Sequence, residues 1–301
     1  MSINSTFLRL PLALVTAGAL LAAAPVTAAE TYDHSAVAVN QALADRVPDT
    51  IRKRGRLVIG SDNAYAPWEY LAGDDGQTPE GIDVDLGKAI AKTLNLEFDS
   101  QTAPFAAILP ALGAKYDVGI SAFSITNERL KAVNFVSYAD TQSLWVVRVG
   151  NPTGFDPANY CGRTIAIQTG SYHEKQVNAD STACVEAGKD PVNILPFSVQ
   201  TEAITRVVAG GADATATGGG TAAYSVVQSG GQLENLSPVG PMSKRGLNGI
   251  AVPKDDMALT QLIADTLNHL IETGVYADIY KTWGVSNFSV EKALINPEAA
   301  H

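Results

Sequence analysis

The sequence predicts an α/β protein made of two lobes, each built around a mainly parallel β-sheet flanked by helices. From Arg56 to Ile120 short apolar runs alternate with helical ones, which is the pattern of βαβ units in a parallel sheet. A loop rich in glycine and proline at residues 150–157 precedes a second cycle of the same kind. About 270 residues follow the apolar N-terminal segment, which exceeds a typical single domain and suits two compact lobes.

The first cycle supplies the elements of one lobe. Its predicted strands are residues 57–59, 96–98 and 118–120, and its predicted helices are residues 84–94 and 106–112. In the first of these helices Leu86, Ile90 and Leu94 recur at every fourth position. One stripe of that helix therefore faces a core.

The second cycle supplies the other lobe. It follows a predicted strand at 143–149 and the loop, and contains predicted strands at 164–167, 192–195 and 212–216, a helix that begins at Ser171 and a helix at 202–209. Near residues 246–252 the chain returns to lobe one, and residues 256–283 form amphipathic helices. We therefore assign 49–145 and 246–290 to lobe one and 146–245 to lobe two.

The two ends of the chain are predicted to lie outside the lobes. Residues 1–29 combine Arg9, an apolar stretch and a small-residue cleavage site, and so predict a cleaved secretory signal peptide. Residues 30–48 are expected to form an N-terminal arm that packs or stays mobile, and 291–301 a C-terminal tail. No cysteine lies near the cleavage site, so we expect a free periplasmic protein without a lipid anchor.

Charge and cysteine content narrow the classes of partner. Without Arg9 the chain has 20 basic and 31 acidic residues and a formal charge of −11, which argues against nucleic acid and anionic lipid as partners. In an oxidising compartment Cys161 and Cys184 are predicted to form a disulfide, which would stabilise the fold by roughly 3 kcal/mol. Two buried free thiols are the alternative.

A short apolar strand that ends in hydroxyl groups and an arginine predicts the binding site. Residues 117–129 read DVGISAFSITNER, so Ser121 and Ser124 follow the strand and Arg129 begins a helix. Ligands of open α/β sheets bind at the carboxyl ends of strands. A guanidinium group is permanently charged and can donate hydrogen bonds to two oxygens at once, so the expected ligand is a small carboxylate.

Two further segments accompany this one, LVIGSDNAYAPWEY at 57–70 and GIDVDL at 81–86. In this order the three segments resemble the polar amino-acid substrate-binding proteins of ABC importers, bacterial solute-binding protein family 3. The resemblance spans residues 50 to 288. It implies a periplasmic-binding-protein-like fold of type II, with two crossings that form a hinge between the lobes.

The resemblance also implies ligand contacts in both lobes. In lobe one these are Asp62, Tyr65, Phe105, Ser121, Ala122, Ser124 and Arg129. Tyr65 and Phe105 would sandwich the ligand side chain, and Ala122, where many relatives have serine, would donate its backbone N–H. In lobe two they are Gln168, Ser171 and Tyr172, in a turn whose backbone amides meet the ligand carboxylate at a helix N-terminus.

One position departs from the family pattern. In amino-acid-binding relatives an aspartate that binds the α-ammonium stands about five residues after the equivalent of Asp213, where this chain has Gly218, or Thr217 if the alignment shifts by one residue. Burying an ammonium group without a carboxylate is costly. Either Asp62 takes over that role or the ligand lacks an α-ammonium group.

The sequence therefore predicts a monomeric periplasmic receptor, not an enzyme, that delivers a small carboxylate to an ABC permease. No cofactor, catalytic residue or metal site is expected, because the spacing of a P-loop, a dinucleotide fingerprint, a zinc site or a nucleophile elbow is absent from the sequence. The alternatives are a cyclohexadienyl-dehydratase-like enzyme on the same fold, a receptor for an amine-free carboxylate, and a sensor domain.

Overall fold

The structure, a computed structural model, describes residues 31–300. The predicted signal peptide, residues 1–29, lies outside the described residues. Among residues 31–300, none of the helices combines the length and the apolar character needed to cross a membrane.

The strands of the described residues form two five-stranded sheets and one three-stranded sheet. They are β1 (Arg56–Ser61), β2 (Ala64–Tyr65), β3 (Glu69–Ala72), β4 (Thr78–Glu80), β5 (Glu97–Thr102), β6 (Val118–Gly119), β7 (Val133–Thr141), β8 (Ser143–Arg148), β9 (Thr164–Gln168), β10 (Asn193–Phe197), β11 (Ala214–Gly218), β12 (Leu233–Leu236) and β13 (Gly246–Pro253).

The α-helices of the same residues pack against these sheets. They are α1 (Gln41–Ala44), α2 (Asp49–Arg54), α3 (Ile82–Thr93), α4 (Phe105–Ile108), α5 (Arg129–Ala132), α6 (Tyr172–Glu186), α7 (Gln200–Val208), α8 (Gly219–Gln228), α9 (Met257–Glu272) and α10 (Val275–Thr282). The sequence analysis did not predict β7 or α8. Helix α8 begins with two glycines, which are poor helix formers.

The lobe-one sheet has the strand order β5-β1-β6-β13-β7. Strand β1 pairs in parallel with β5 and β6, whereas β13 is antiparallel to β6 and β7. Leu57 and Ile59 pack with the helix residues Ile82 and Leu86 on one face, and Val58 packs on the other. The sheet is therefore covered on both faces, as parallel sheets require.

The lobe-two sheet has the strand order β10-β9-β11-β8-β12. Strand β9 pairs in parallel with β10 and β11, and β8 is antiparallel to β11 and β12. A disulfide joins Cys161, before β9, to Cys184 near the end of α6, with their Cα atoms 5.7 Å apart. The predicted disulfide and the predicted two-lobed α/β fold are both confirmed. The sheets were predicted to be mainly parallel, but each is mixed, with two parallel and two antiparallel pairings.

The chain crosses between the two large sheets at two neighbouring points. The first crossing is Gln142, between β7 and β8, so residues 143–145, which the prediction assigned to lobe one, lie in the lobe-two sheet. The second crossing ends where β13 begins, opposite the end of β7. Arg245 beside it bonds to Asp140, with 3.1 Å from Nε to each carboxylate oxygen. The two crossings thus lie side by side, as a hinge requires.

Both ends of the described chain pack on lobe one. In the N-terminal arm Val37, Leu43 and Val47 are buried in the lobe-one core. In the segment predicted as a tail, Leu294 O accepts from Ser137 N at 2.9 Å, so this segment is held on the edge strand β7. Each end covers part of lobe one and leaves lobe two without terminal segments from the described residues.

Candidate functional site

The candidate site lies where the carboxyl ends of the parallel strands of both sheets meet. Asp62 follows β1 directly and Ser121 follows β6 after one residue, while Gln168 and Gly218 end β9 and β11. Parallel strands bring their carboxyl ends to one edge of a sheet. The two edges face each other across the junction of the lobes, and the side chains there bond across it.

Arg129 lies at one end of this cleft and contacts both lobes. Its Nη1 donates to Ser124 O at 2.8 Å, and its Nη2 donates to Gly170 O of lobe two at 3.0 Å. Its guanidinium carbon lies 5.4 Å from the ring centroid of Phe105 and 5.7 Å from that of Phe123. Burial lowers the pKa of Arg129 to about 10, so the group remains charged at neutral pH.

Asp62 is the carboxylate between the lobes. Its side chain is buried, and Oδ2 accepts from Gln168 Nε2 of lobe two at 2.9 Å. Burial raises its pKa to about 6, although the Gln168 amide and the backbone N–H of Phe105 favour the charged form. Its other oxygen, Oδ1, is buried without a hydrogen-bond partner among residues 31–300.

The two aromatic residues predicted to sandwich a ligand have different surroundings. Phe105 stacks on Phe123 with ring centroids 4.8 Å apart. The Tyr65 hydroxyl reaches lobe two, lies 2.7 Å from Thr217 Oγ1 and accepts from Gly218 N at 2.9 Å. Phe105 thus supports Arg129 in this structure, whereas Tyr65 joins the lobes.

Ser121 and Ala122, both expected to contact a ligand, bond to buried carboxyl groups in this structure. Ser121 Oγ donates to Glu69 Oε1 at 2.6 Å and accepts from Asp62 N at 3.0 Å. Ala122, with a φ of 44°, donates its N–H to Asp83 Oδ2 at 2.8 Å. These bonds fix the loop that carries the cleft residues.

Glu69 and Asp83 lie next to each other beneath this loop. Both are buried, and Tyr138 Oη also donates to Asp83 Oδ2 at 2.8 Å. Burial and the neighbouring Asp83 carboxylate raise the pKa of Glu69 well above its usual range. We infer that Glu69 is protonated and donates to Asp83, because two adjacent buried carboxyl groups do not both ionise.

In lobe two the predicted turn is present, but its groups have protein partners. Ser171 caps α6 by accepting from Glu174 N at 3.0 Å, and Glu174 Oε2 accepts from Gly170 N at 2.7 Å. Glu174 therefore bonds to the amide before the N-cap residue and not to the Ser171 amide that a capping box would use. The Gly170 amide, expected to meet a ligand carboxylate, meets Glu174 in this structure. The spacing of Ser171 and Glu174 was visible in the sequence and indicated a helix cap, but not the bond to Gly170.

A small cavity of about 20 Å³ lies between the lobes, and Arg129 is not among its lining residues. Its lining includes five of the predicted residues, Tyr65, Ala122, Ser124, Tyr172 and Gly218. The backbone oxygen of Ser124 also accepts from Arg129. The remaining lining residues were not predicted: Trp68, Thr141, Gln142, Ser143, His173, Lys244 and Asn248. Most of these belong to the crossing strands, whose place beside the site depends on how the two lobes join.

The structure thus brings the predicted residues together in two groups. Arg129, Phe105 and Ser171 lie towards the mouth of the cleft, where a wider groove also contains Glu128 and Lys175. Tyr65 and Gly218 lie at the inner end.

Comparisons with known proteins show which family the chain resembles. The family described as bacterial extracellular solute-binding proteins, family 3, matches residues 57–286. The arginine-binding protein ArgT of Corynebacterium glutamicum is 33% identical over 254 residues, which cover 84% of this chain and 82% of that protein. The lysine/arginine/ornithine-binding periplasmic protein of Escherichia coli is 25% identical, over 79% of this chain and 88% of that protein.

Solved structures show the same fold. The structure of the holo arginine-binding protein ArgBP from T. maritima has a TM-score of 0.65 and 29% identity, and covers 79% of this chain and 100% of that one. An ancestral amino-acid-binding protein described as a precursor of cyclohexadienyl dehydratase has a TM-score of 0.67 and 27% identity, over 78% of this chain and 98% of that one.

Proposed function

This chain belongs to the bacterial extracellular solute-binding proteins of family 3, and from that membership we propose that it is a receptor that closes its two lobes around a small polar amino acid or derivative. It would then deliver this ligand to an ABC permease. We also propose that the mature protein is a periplasmic monomer released from a cleaved signal peptide.

The observation that carries this proposal is the pair of opposite charges at the junction of the lobes. Arg129 and Asp62 both belong to lobe one, and each forms a hydrogen bond to lobe two, to Gly170 O and Gln168 Nε2 respectively. A zwitterionic ligand presents a carboxylate for the first and a cation for the second. Ligand groups that replace these cross-lobe bonds would shift the equilibrium between open and closed forms.

The relatives support an amino-acid ligand. The names of several relatives state arginine, and one states lysine, arginine and ornithine. For this chain we propose the broader class, a small carboxylate that also carries a positively charged group, because Asp62 is a buried carboxylate with one unpartnered oxygen among residues 31–300.

The competing function is a dehydratase on the same fold, which the likeness to a precursor of cyclohexadienyl dehydratase raises. Its strongest candidate for a general acid is Asp62, whose pKa burial raises to about 6. We propose binding without turnover, because the other two buried carboxyl groups, Glu69 and Asp83, lie beneath the lobe-one loop that carries Ser121 and Ala122, and not in the cleft. Turnover of prephenate or arogenate by the purified protein would reverse this choice.

The test is a thermal-shift screen of the mature protein, refolded after denaturation to strip bound ligand. The screen covers the twenty amino acids and amine-free carboxylates. A ligand of the folded state raises the melting temperature with its concentration. We expect such a shift, and we expect Arg129→Ala to weaken binding by about 100-fold, because a charged two-pronged contact to a carboxylate is lost. Calorimetry measures that change.

The matched control is Arg52→Ala, which removes an exposed arginine whose ion-pair partner is Asp49. It should leave the affinity unchanged. Equal binding by the Arg129→Ala and Arg52→Ala proteins would contradict the assigned role of Arg129, and a screen without any shift would contradict the receptor function.

A further inference from the structure

The ionised side chains buried between the lobes are few, and their count limits the charge of the ligand. Among residues 31–300, Arg129 is half-buried and bonds across the lobes at the cleft, and Asp62 is a buried carboxylate that also bonds across them. Asp62 has one oxygen bonded to Gln168 and one buried without a partner. One ligand anion and one ligand cation would therefore be neutralised.

The other carboxyl groups near the cleft do not face a ligand. Glu69 and Asp83 lie beneath the lobe-one loop and bond to the Ser121 hydroxyl and the Ala122 amide. Both are buried, and Glu69 is uncharged if it is protonated as inferred above. The Asp83 carboxylate already accepts hydrogen bonds from the Ala122 amide and the Tyr138 hydroxyl, so the pair offers a ligand cation no unpaired negative charge.

At the mouth of the cleft the acidic side chains also have partners. Glu174 accepts from the Gly170 amide at 2.7 Å. Glu128 forms a cross-lobe ion pair with Lys175, and both side chains are exposed to water. Such exposed pairs contribute little to the binding of a buried charge.

The inner cavity has no carboxylate among its lining residues. Its titratable lining groups other than the two tyrosines are Lys244 and His173. Gly218 adds a backbone amide there and no side chain, and a Cβ at that position would lie 3.1 Å from Tyr65 Oη. This end of the cleft therefore disfavours a second positive charge.

We propose that the ligand carries one carboxylate and a single cationic group, and hence no net charge, unlike arginine and lysine. This inference rests on the proposed receptor function. A ligand with two cations would bury one of them without a counter-charge, at a large cost in desolvation. This limit on the ligand's charged groups follows from Arg129, Asp62 and the missing side chain at Gly218.

The test compares three ligands of nearly equal size by calorimetry on the mature protein at neutral pH. L-Arginine has two cationic groups, L-citrulline keeps only the α-ammonium, and 5-guanidinopentanoate keeps only the guanidinium. We expect the better of the two single-cation compounds to bind at least about tenfold more tightly than L-arginine, as an unpaired buried charge requires. L-Lysine, L-norleucine and 6-aminohexanoate form a parallel series.

The outcomes separate the two proposals. If L-arginine or L-lysine binds most tightly in its series, the inference fails and the receptor function stands. If none of the six compounds binds and the wider screen is also negative, the receptor function fails and the inference with it.

Two variants at one position test the charge count itself. Gly218 has φ −64° and ψ 145° and is the N-cap of α8, a position that accepts aspartate or asparagine. Gly218→Asp adds a carboxylate beside the inner cavity, so we expect L-arginine to gain about tenfold relative to the single-cation compounds. Gly218→Asn adds the same volume without charge and should give no such gain. Equal behaviour of the two variants would overturn the inference.

Discussion

The two walls of the cleft contribute different chemistry to the same space. Lobe one supplies the ionised groups, and its own residues hold them: Ser124 O and the Phe105 ring hold Arg129, and Ser121 holds the Asp62 backbone. Apart from Glu174 and Lys175 at the mouth and Lys244 beside the inner cavity, lobe two contributes neutral groups, such as the Gln168 amide. We infer that lobe one recognises the charges of the ligand and that lobe two completes its enclosure.

The largest expected effect concerns the charge on the lobe-one wall. Burial raises the pKa of Asp62 to about 6, and a cationic ligand requires the ionised form. Affinity for such a ligand should therefore be constant above about pH 7 and fall by about tenfold per unit below about pH 6. Calorimetry across this range, in buffers of constant ionic strength, measures the slope.

Asp62→Asn is the matched variant for that prediction. It should bind the cationic ligand weakly and lose the pH dependence over the same range. Since ionising a buried carboxyl group costs stability above its raised pKa, the asparagine protein should also resist urea better than the native protein at neutral pH, by about 3 kcal/mol at most. If the affinity of the native protein does not change with pH over this range, the ligand cation binds to a group other than Asp62.

Local elements of both lobes could be predicted from the sequence, but the partners of buried polar groups could not. Strands β1 and β9 and the cap of α6 at Ser171 follow from local patterns, apolar runs and a capping residue, and they were predicted. The partner of the Ser121 hydroxyl was not, because Glu69 lies 52 residues away in the chain. Local patterns place polar groups at a strand end but do not determine which buried group they bond to.

Lobe two offers a smaller effect at its one acidic contact. The Glu174 carboxylate bonds to the Gly170 amide, and Gly170 O accepts from Arg129. A ligand carboxylate at Arg129 would therefore approach a like charge. Glu174→Gln keeps an acceptor for the amide and removes the charge, so affinity should rise about threefold at low salt and less at high salt.

The control for this prediction lies at the other end of the same helix. Glu186→Gln makes the same change in net charge at the C-terminus of α6, where the side chain is exposed. It should leave the affinity unchanged at either salt concentration. A loss of affinity in Glu174→Gln would mean that the capping contact orders the lobe-two wall more than its charge repels the ligand.

The smallest expected effect lies beneath the lobe-one wall. If Glu69 is protonated, Glu69→Gln replaces its O–H donor with an N–H donor to Asp83 and keeps an acceptor for Ser121, so stability at neutral pH should change by less than about 1 kcal/mol. Glu69→Ala removes both bonds and should cost about 2 to 3 kcal/mol. Urea unfolding of the three proteins measures these differences.

The pH dependence of the same variants decides the protonation state. A carboxyl group whose pKa is raised on folding loses stability as pH rises from its ordinary pKa towards the raised one, and burial beside Asp83 raises the pKa of Glu69. The glutamine protein lacks this loss, so its stability relative to the native protein should grow with pH. A glutamine protein that is several kcal/mol less stable at neutral pH would mean that Glu69 is ionised. The lobe-one wall would then carry a second negative charge close to Asp62, and a ligand with two cations would no longer lack a counter-charge.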